Sequence, residues 1–191
     1  MKKITSAINI PNILTVIRIL LVPLFIIFLL REMFHFALLV FAVAAISDGL
    51  DGLFARYLNQ RTVLGAYLDP LADKLLLASS FIMLAVIKIV PAWLAVIVIS
   101  RDVLIMLAIA IFAMADMSIE MRPRITSKCT TVFQLFTIFF VLLNPKIPGA
   151  DTIKWILYWL TAGITILSGL HYTYIGMNFV QNGSGNNQKN T

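Results

Sequence analysis

The chain has 191 residues, 60% of them hydrophobic and only 13% charged. A soluble domain carries about 25% charged residues, so too little polar side chain is available to cover a water-facing surface, and a membrane class is expected instead. The net charge of +6 does not argue for nucleic acid, because the basic residues are scattered between apolar runs; anionic lipid headgroups and a phosphorylated substrate suit that pattern better.

Lys2 and Lys3 precede an apolar stretch that contains Arg18 and lacks a small-residue cleavage site. It reads as a first membrane helix rather than a removable leader. A spanning helix needs about 20 mostly apolar residues, and six such segments are expected, at roughly 11–30, 36–56, 67–89, 91–114, 127–143 and 152–177. The expected fold is therefore all-α, a polytopic membrane protein with six transmembrane helices. Residues 1–180 form one domain, and the Gly/Asn-rich tail 181–191 is expected to be disordered. The lone Cys129 excludes an internal disulfide framework.

Six crossings put both termini on one side of the bilayer. That side carries Lys2, Lys3, Arg56, Arg61, Arg122, Arg124, Lys128 and Lys189, against Arg31, Lys88, Lys146 and Lys154 on the other. The excess of basic residues favours cytoplasmic termini.

Four of the nine acidic residues, Asp48, Asp51, Asp69 and Asp73, fall on the second and third expected helices. A carboxylate at such a depth is costly unless it is compensated, and cations are the obvious compensation. Asp48 and Asp51 are three apart and Asp69 and Asp73 four apart, so each pair shares a helix face. A short turn between antiparallel helices can bring the two pairs to one depth. The resulting all-oxygen set suits Mg²⁺ or Mn²⁺, and four carboxylates commonly hold two ions, which clamp the attacking and leaving oxygens in phosphoryl transfer. Gly49, Gly52, Ala55 and Gly65 allow close approach of a nucleotide or diphosphate, and Arg56 can grip a phosphate. Spacing alone leaves two other readings open: a cation pathway, as in a transporter, and ion pairs with Arg18, Lys74 or Arg101.

The stretch Asp48-Gly-Leu-Asp51-Gly52-Leu-Phe-Ala55-Arg56, eight residues, then Gly65-Ala-Tyr-Leu-Asp69-Pro-Leu-Ala-Asp73 resembles the signature of the CDP-alcohol phosphotransferases, with every fixed position filled. The resemblance implies six membrane helices, a dimer, and a site that opens to the cytoplasm. It implies that Asp48, Asp51, Asp69 and Asp73 carry two divalent cations, with Asp73 also the catalytic general base. Gly52, Arg56 and Gly65 are then CDP contacts. The segment from Pro11 through Asn12 and Thr15 to Arg18 is similar to the first-helix motif of the branch that makes phosphatidylglycerophosphate and cardiolipin, which adds Asn12 and Thr15 to the CDP site.

Ser100-Arg101-Asp102 and Ser127-Lys128 resemble the eukaryotic-type cardiolipin synthases of that branch more than its phosphatidylglycerophosphate synthases, which typically have Arg-Glu and a further Arg downstream. The implied reaction moves the phosphatidyl group of CDP-diacylglycerol to an acceptor hydroxyl. Phosphatidylglycerol is the favoured acceptor and glycerol 3-phosphate the alternative, with Arg101, Arg124 and Lys128 as candidate acceptor ligands. The expected location is a bacterial or mitochondrial type of inner membrane. His35 and His171 read as interfacial or packing residues.

Overall fold

In the computed structural model of the chain, the backbone is described for residues 10–57, 63–114, 125–143 and 149–187, and side chains for 15–47, 72, 74–108, 129–143 and 149–173. Six helices make up the described chain, with no strand among the described residues: α1 (Ile10–Leu30), α2 (Phe34–Tyr57), α3 (Val63–Val86), α4 (Ala92–Met114), α5 (Ile125–Leu143) and α6 (Ala150–Asn187).

Two turns at one end of the bundle are unusually tight. After α1, Met33 N–H donates to Phe28 O (2.9 Å) and Glu32 N–H to Leu29 O (3.0 Å), the paired bonds of a Schellman C-cap. The same pattern closes α3, where Ile89 N–H donates to Leu84 O (2.9 Å) and Lys88 N–H to Ala85 O (3.0 Å). The residue that turns the chain is left-handed in both, Glu32 at φ 56° and Lys88 at φ 60°. Glycine ordinarily takes that position, because a Cβ there costs about 1–2 kcal/mol. Gly149, at φ 85°, is also left-handed, at the N-terminal edge of α6.

The helices pack as two squares that share an edge. Around the bundle the neighbours run α1, α2, α5, α6, α4, α3 and back to α1, and α3 also touches α5 across the middle. One square is therefore α1–α2–α5–α3 and the other α3–α5–α6–α4. Among the described residues α2 and α3 are not a closely packed pair, although they are consecutive in sequence; they stand diagonally, with α1 and α5 against both.

Burial divides along the bundle axis. The apolar core, including Phe25, Phe41, Phe81, Leu94 and Leu142, lies toward the end with the tight turns. The other end buries polar groups, among them Thr15, Arg18, Ser47, Arg101, Asp102 and Gln134. The outside is apolar on every helix: Leu20, Leu39, Val86, Val96, Val132 and Leu167 are each at least 60% exposed. A bundle made for water has the opposite arrangement.

Two expectations need revision. α3 begins at Val63, ahead of the expected 67, because the motif's Gly65 lies inside the helix. α6 continues to Asn187, through most of the tail expected to be disordered; extending an existing helix avoids the cost of nucleation. Residues 188–191 lie outside the described chain. By length and apolarity, Ala150–Thr173 is the one described segment that can cross a membrane, while Thr15–Leu30, Phe34–Ser47, Lys74–Val86 and Cys129–Leu143 are shorter apolar helices.

Candidate active site

All eight motif residues with defined identity are helical. Asp48, Asp51, Gly52, Ala55 and Arg56 occupy the C-terminal half of α2, and Gly65, Asp69 and Asp73 the N-terminal half of α3 together with Ala72, which is fully buried. The joining residues 58–62 are outside the described chain, as are the side chains of Asp48, Asp51, Gly52, Arg56, Gly65, Asp69 and Asp73. The backbone settles which helices carry them. Among the described residues, the two pairs sit on helices that face each other across the diagonal of the first square rather than on closely packed neighbours.

α1 packs against both of those helices. Its Thr15 and Arg18 are fully buried and three residues apart, so one face of α1 turns a hydroxyl and a guanidinium inward. The Asn12 side chain lies outside the described residues.

Lys74, one residue after Asp73, leads into the second square. Its ammonium donates to Asp102 Oδ1 on α4 at 2.5 Å. Arg101 Nη1 donates to the same oxygen at 2.7 Å, and Arg101 Nη2 donates to Ser168 Oγ on α6 at 2.9 Å. The guanidinium also lies 5.9 Å from the centre of the Tyr172 ring, within cation–π range. One carboxylate thus serves two cations and ties α3, α4 and α6 together. Toward the middle of the same square the polar seam continues with Gln134 and Thr165 (3.5 Å) and with Thr137 and Thr161 (2.7 Å), joining α5 to α6. Interhelical hydrogen bonds of this kind are worth about 0.6 kcal/mol each in a bilayer.

Arg101, expected as an acceptor ligand, is therefore 4% exposed and committed to Asp102 and Ser168. Arg124 falls outside the described chain, and Lys128 lies in the first turn of α5 with its side chain outside the description. Ion pairs of the motif aspartates with Arg18, Lys74 or Arg101 were among the readings open at the motif; the carboxylate seen beside both Lys74 and Arg101 is Asp102. Ser168 and Tyr172 were not anticipated, since nothing in their spacing links α6 to α4. His35 is exposed and Cys129 is an exposed free thiol.

Beside this cluster a cleft of about 360 Å³ opens between α4 and α6. Val96, Leu104, Ile166 and Leu170 wall it and Arg101 and Thr165 lie along its inner side. Gly169 keeps it open against Arg101, whose Cγ is 3.6 Å from where a Cβ on that glycine would stand.

Comparison with known proteins fixes the family. A model described as CDP-alcohol phosphatidyltransferase matches residues 8–167, which takes in the whole motif and five complete helices. The chain belongs to the CDP-alcohol phosphatidyltransferase family. Among its relatives, the human cardiolipin synthase (CMP-forming) is 34% identical over 91% of this chain and 63% of its own length. The chain thus spans less than two thirds of that protein. The CDP-diacylglycerol–glycerol-3-phosphate 3-phosphatidyltransferase of Bacillus subtilis is 30% identical over 86% of this chain and 93% of its own length. The protein of that name from Pseudomonas fluorescens is 36% identical, over 86% and 88%. This phosphatidyltransferase-family chain thus resembles both a protein named cardiolipin synthase and proteins named for transfer to glycerol 3-phosphate.

Proposed function

We propose that the chain is a six-span membrane enzyme that transfers the phosphatidyl group of CDP-diacylglycerol to a lipid hydroxyl and releases CMP. The observation that carries this reading is the complete carboxylate motif, set on two helices inside the family match. The apolar exterior of all six helices supports a bilayer setting, and the positive-charge bias supports cytoplasmic termini and a cytoplasmic site. A homodimer follows from the family resemblance.

Four aspartates are hard oxygen donors and suit Mg²⁺ or Mn²⁺. The nearby cations Lys74 and Arg101 are engaged by Asp102, which supports metal ions rather than those two side chains as partners of the motif carboxylates. Asp48, Asp51, Asp69 and Asp73 would hold two divalent ions, which neutralise the diphosphate and the charge developing on it. Gly52, Arg56 and Gly65, with Asn12 and Thr15, orient the CDP group. Asp73 takes the proton of the acceptor hydroxyl as that oxygen bonds to the β-phosphorus of CDP-diacylglycerol. The bond from that phosphorus to the bridging oxygen breaks, and CMP leaves with its electron pair. Contacting helix axes lie about 8–10 Å apart, so a diagonal pair is wider, and that supports room for a diphosphate between α2 and α3.

Phosphatidylglycerol is the favoured acceptor, giving cardiolipin. A phosphate monoester bears nearly two charges and wants several basic partners, whereas Arg101 already has Asp102 and Ser168. The α4–α6 cleft is apolar-walled and open to the side, as a lipid acceptor requires. Glycerol 3-phosphate is the second reading, favoured by the bacterial relatives whose full length the chain nearly spans. The test offers purified protein CDP-diacylglycerol and Mn²⁺ with either acceptor and identifies the lipid product by mass. Cardiolipin is expected; phosphatidylglycerophosphate alone would reverse the acceptor, and no CMP release with any acceptor would end the transferase reading.

A further inference from the structure

Two oppositely charged side chains meet beside the motif and belong to neither the metal nor the nucleotide in the reading above. Lys74 directly follows Asp73 on α3, and its ammonium donates to Asp102 Oδ1 on α4 at 2.5 Å. The lysine side chain is 28% exposed and the carboxylate 10%, so solvent screens this pair only in part. Asp102 is held in turn by Arg101 Nη1 at 2.7 Å, while Arg101 Nη2 donates to Ser168 on α6. The carboxylate that answers Lys74 is thereby fixed in place by two other helices.

Successive positions on a helix are about 100° apart around its axis, at 3.6 residues per turn. The positions of Asp69 and Asp73 are therefore about 100–140° around α3 from that of Lys74, whose ammonium reaches α4 instead. It is nevertheless close by. Points on well-separated faces of one helix are roughly 10 Å apart, about the helix diameter with side chains. A charge at that distance acts on a divalent ion without touching it.

We propose that Lys74 and Asp102 set the affinity of the motif for divalent cations from a distance: Lys74 lowers it, and Asp102 raises it by offsetting that lysine. The proposal rests on the reading that the motif binds divalent metal, and it adds two residues that touch neither metal nor substrate. A unit charge and a divalent ion roughly 10 Å apart shift a dissociation constant by about tenfold when the effective dielectric lies between that of a protein surface and that of water. A purely structural ion pair gives a different pattern. Breaking it from either side would disturb α3 and weaken metal binding in both cases.

Mn²⁺ binding to the detergent-solubilised protein, read from the paramagnetic resonance signal of the free ion with no substrate present, separates the two. Lys74→Met removes a positive charge and leaves Asp102 with Arg101, so the Kd for Mn²⁺ should fall about tenfold. Asp102→Asn removes a negative charge and should raise that Kd about tenfold. The double variant should return close to the parent. Weaker or unchanged binding in Lys74→Met overturns the proposal, and so does a double variant as weak as Asp102→Asn. If Asp102→Asn does not fold, Lys74→Met alone decides, because losing a partly exposed lysine strands no buried cation. A parent that binds no Mn²⁺ defeats the metal reading itself, whereas a parent that binds it with the same Kd as Lys74→Met defeats this proposal alone.

Discussion

The two helix squares share α3 and α5 yet treat charge in opposite ways. In the α3–α5–α6–α4 square, Asp102 meets Lys74 at 2.5 Å and Arg101 at 2.7 Å, so the described charges are answered within the protein. In the α1–α2–α5–α3 square, four motif aspartates lie on α2 and α3, with Arg18 on α1, Arg56 on α2 and Lys128 on α5 as the basic residues besides Lys74. On the proposed reading the remaining deficit of positive charge is met by metal ions, so that one square is finished by folding while the other takes ligands that arrive later.

The sharpest way to break this contrast is at Asp73. Asp73→Asn should lower CMP release by about 10²–10⁴-fold, the usual worth of a general base, while CDP-diacylglycerol still binds. Near-normal turnover would remove the base assignment. In the other square Asp102→Asn strands the buried Arg101 and the half-buried Lys74, and about 3 kcal/mol of stability should go. Chemical unfolding in detergent measures this, and adding Lys74→Met should restore part of it. If the two substitutions were simply additive, the shared carboxylate would not couple α3 to α4.

The same chemical change should have the opposite sign at the motif when no metal is present. Asp48→Asn relieves repulsion there, so the metal-free protein should unfold no more easily than the parent. The parent should gain about 2.7 kcal/mol when Mn²⁺ is raised to about a hundred times its Kd, and Asp48→Asn should lose most of that gain. A parent indifferent to Mn²⁺ would mean that its deficit is met some other way. The smallest effect belongs to the left-handed cap of α3, where Lys88→Gly should add about 0.5–1 kcal/mol by removing the Cβ penalty net of glycine's own entropy.

Much of the fold was legible from hydropathy alone. The expected helix at 91–114 and the observed α4 differ by a single residue, because Pro91 marks the start and a long apolar run follows. The motif was legible too, because fixed spacings of aspartate and glycine are a local pattern. The helix order around the bundle was not: that α2 and α3 stand diagonally follows from how α1 and α5 fill the space between them, which no local window records. Arg101 was assigned to the acceptor because its type and position allowed it. Its real neighbours are Asp102 and Ser168, and the latter is on a helix whose approach to α4 is a tertiary fact.

The two Schellman turns also bear on how the chain enters a bilayer. Only residues 31–33 separate α1 from α2, and the charges among them, Arg31 and Glu32, cancel. On the proposed six-span reading, α1 and α2 insert together as one hairpin, carrying a short neutral tip across the hydrocarbon. The α3–α4 hairpin carries Lys88 as the single charge of residues 87–91. Insertion in pairs would deliver the motif aspartates last, since they sit toward the trailing ends of these hairpins, and they need never pass through the middle of the membrane.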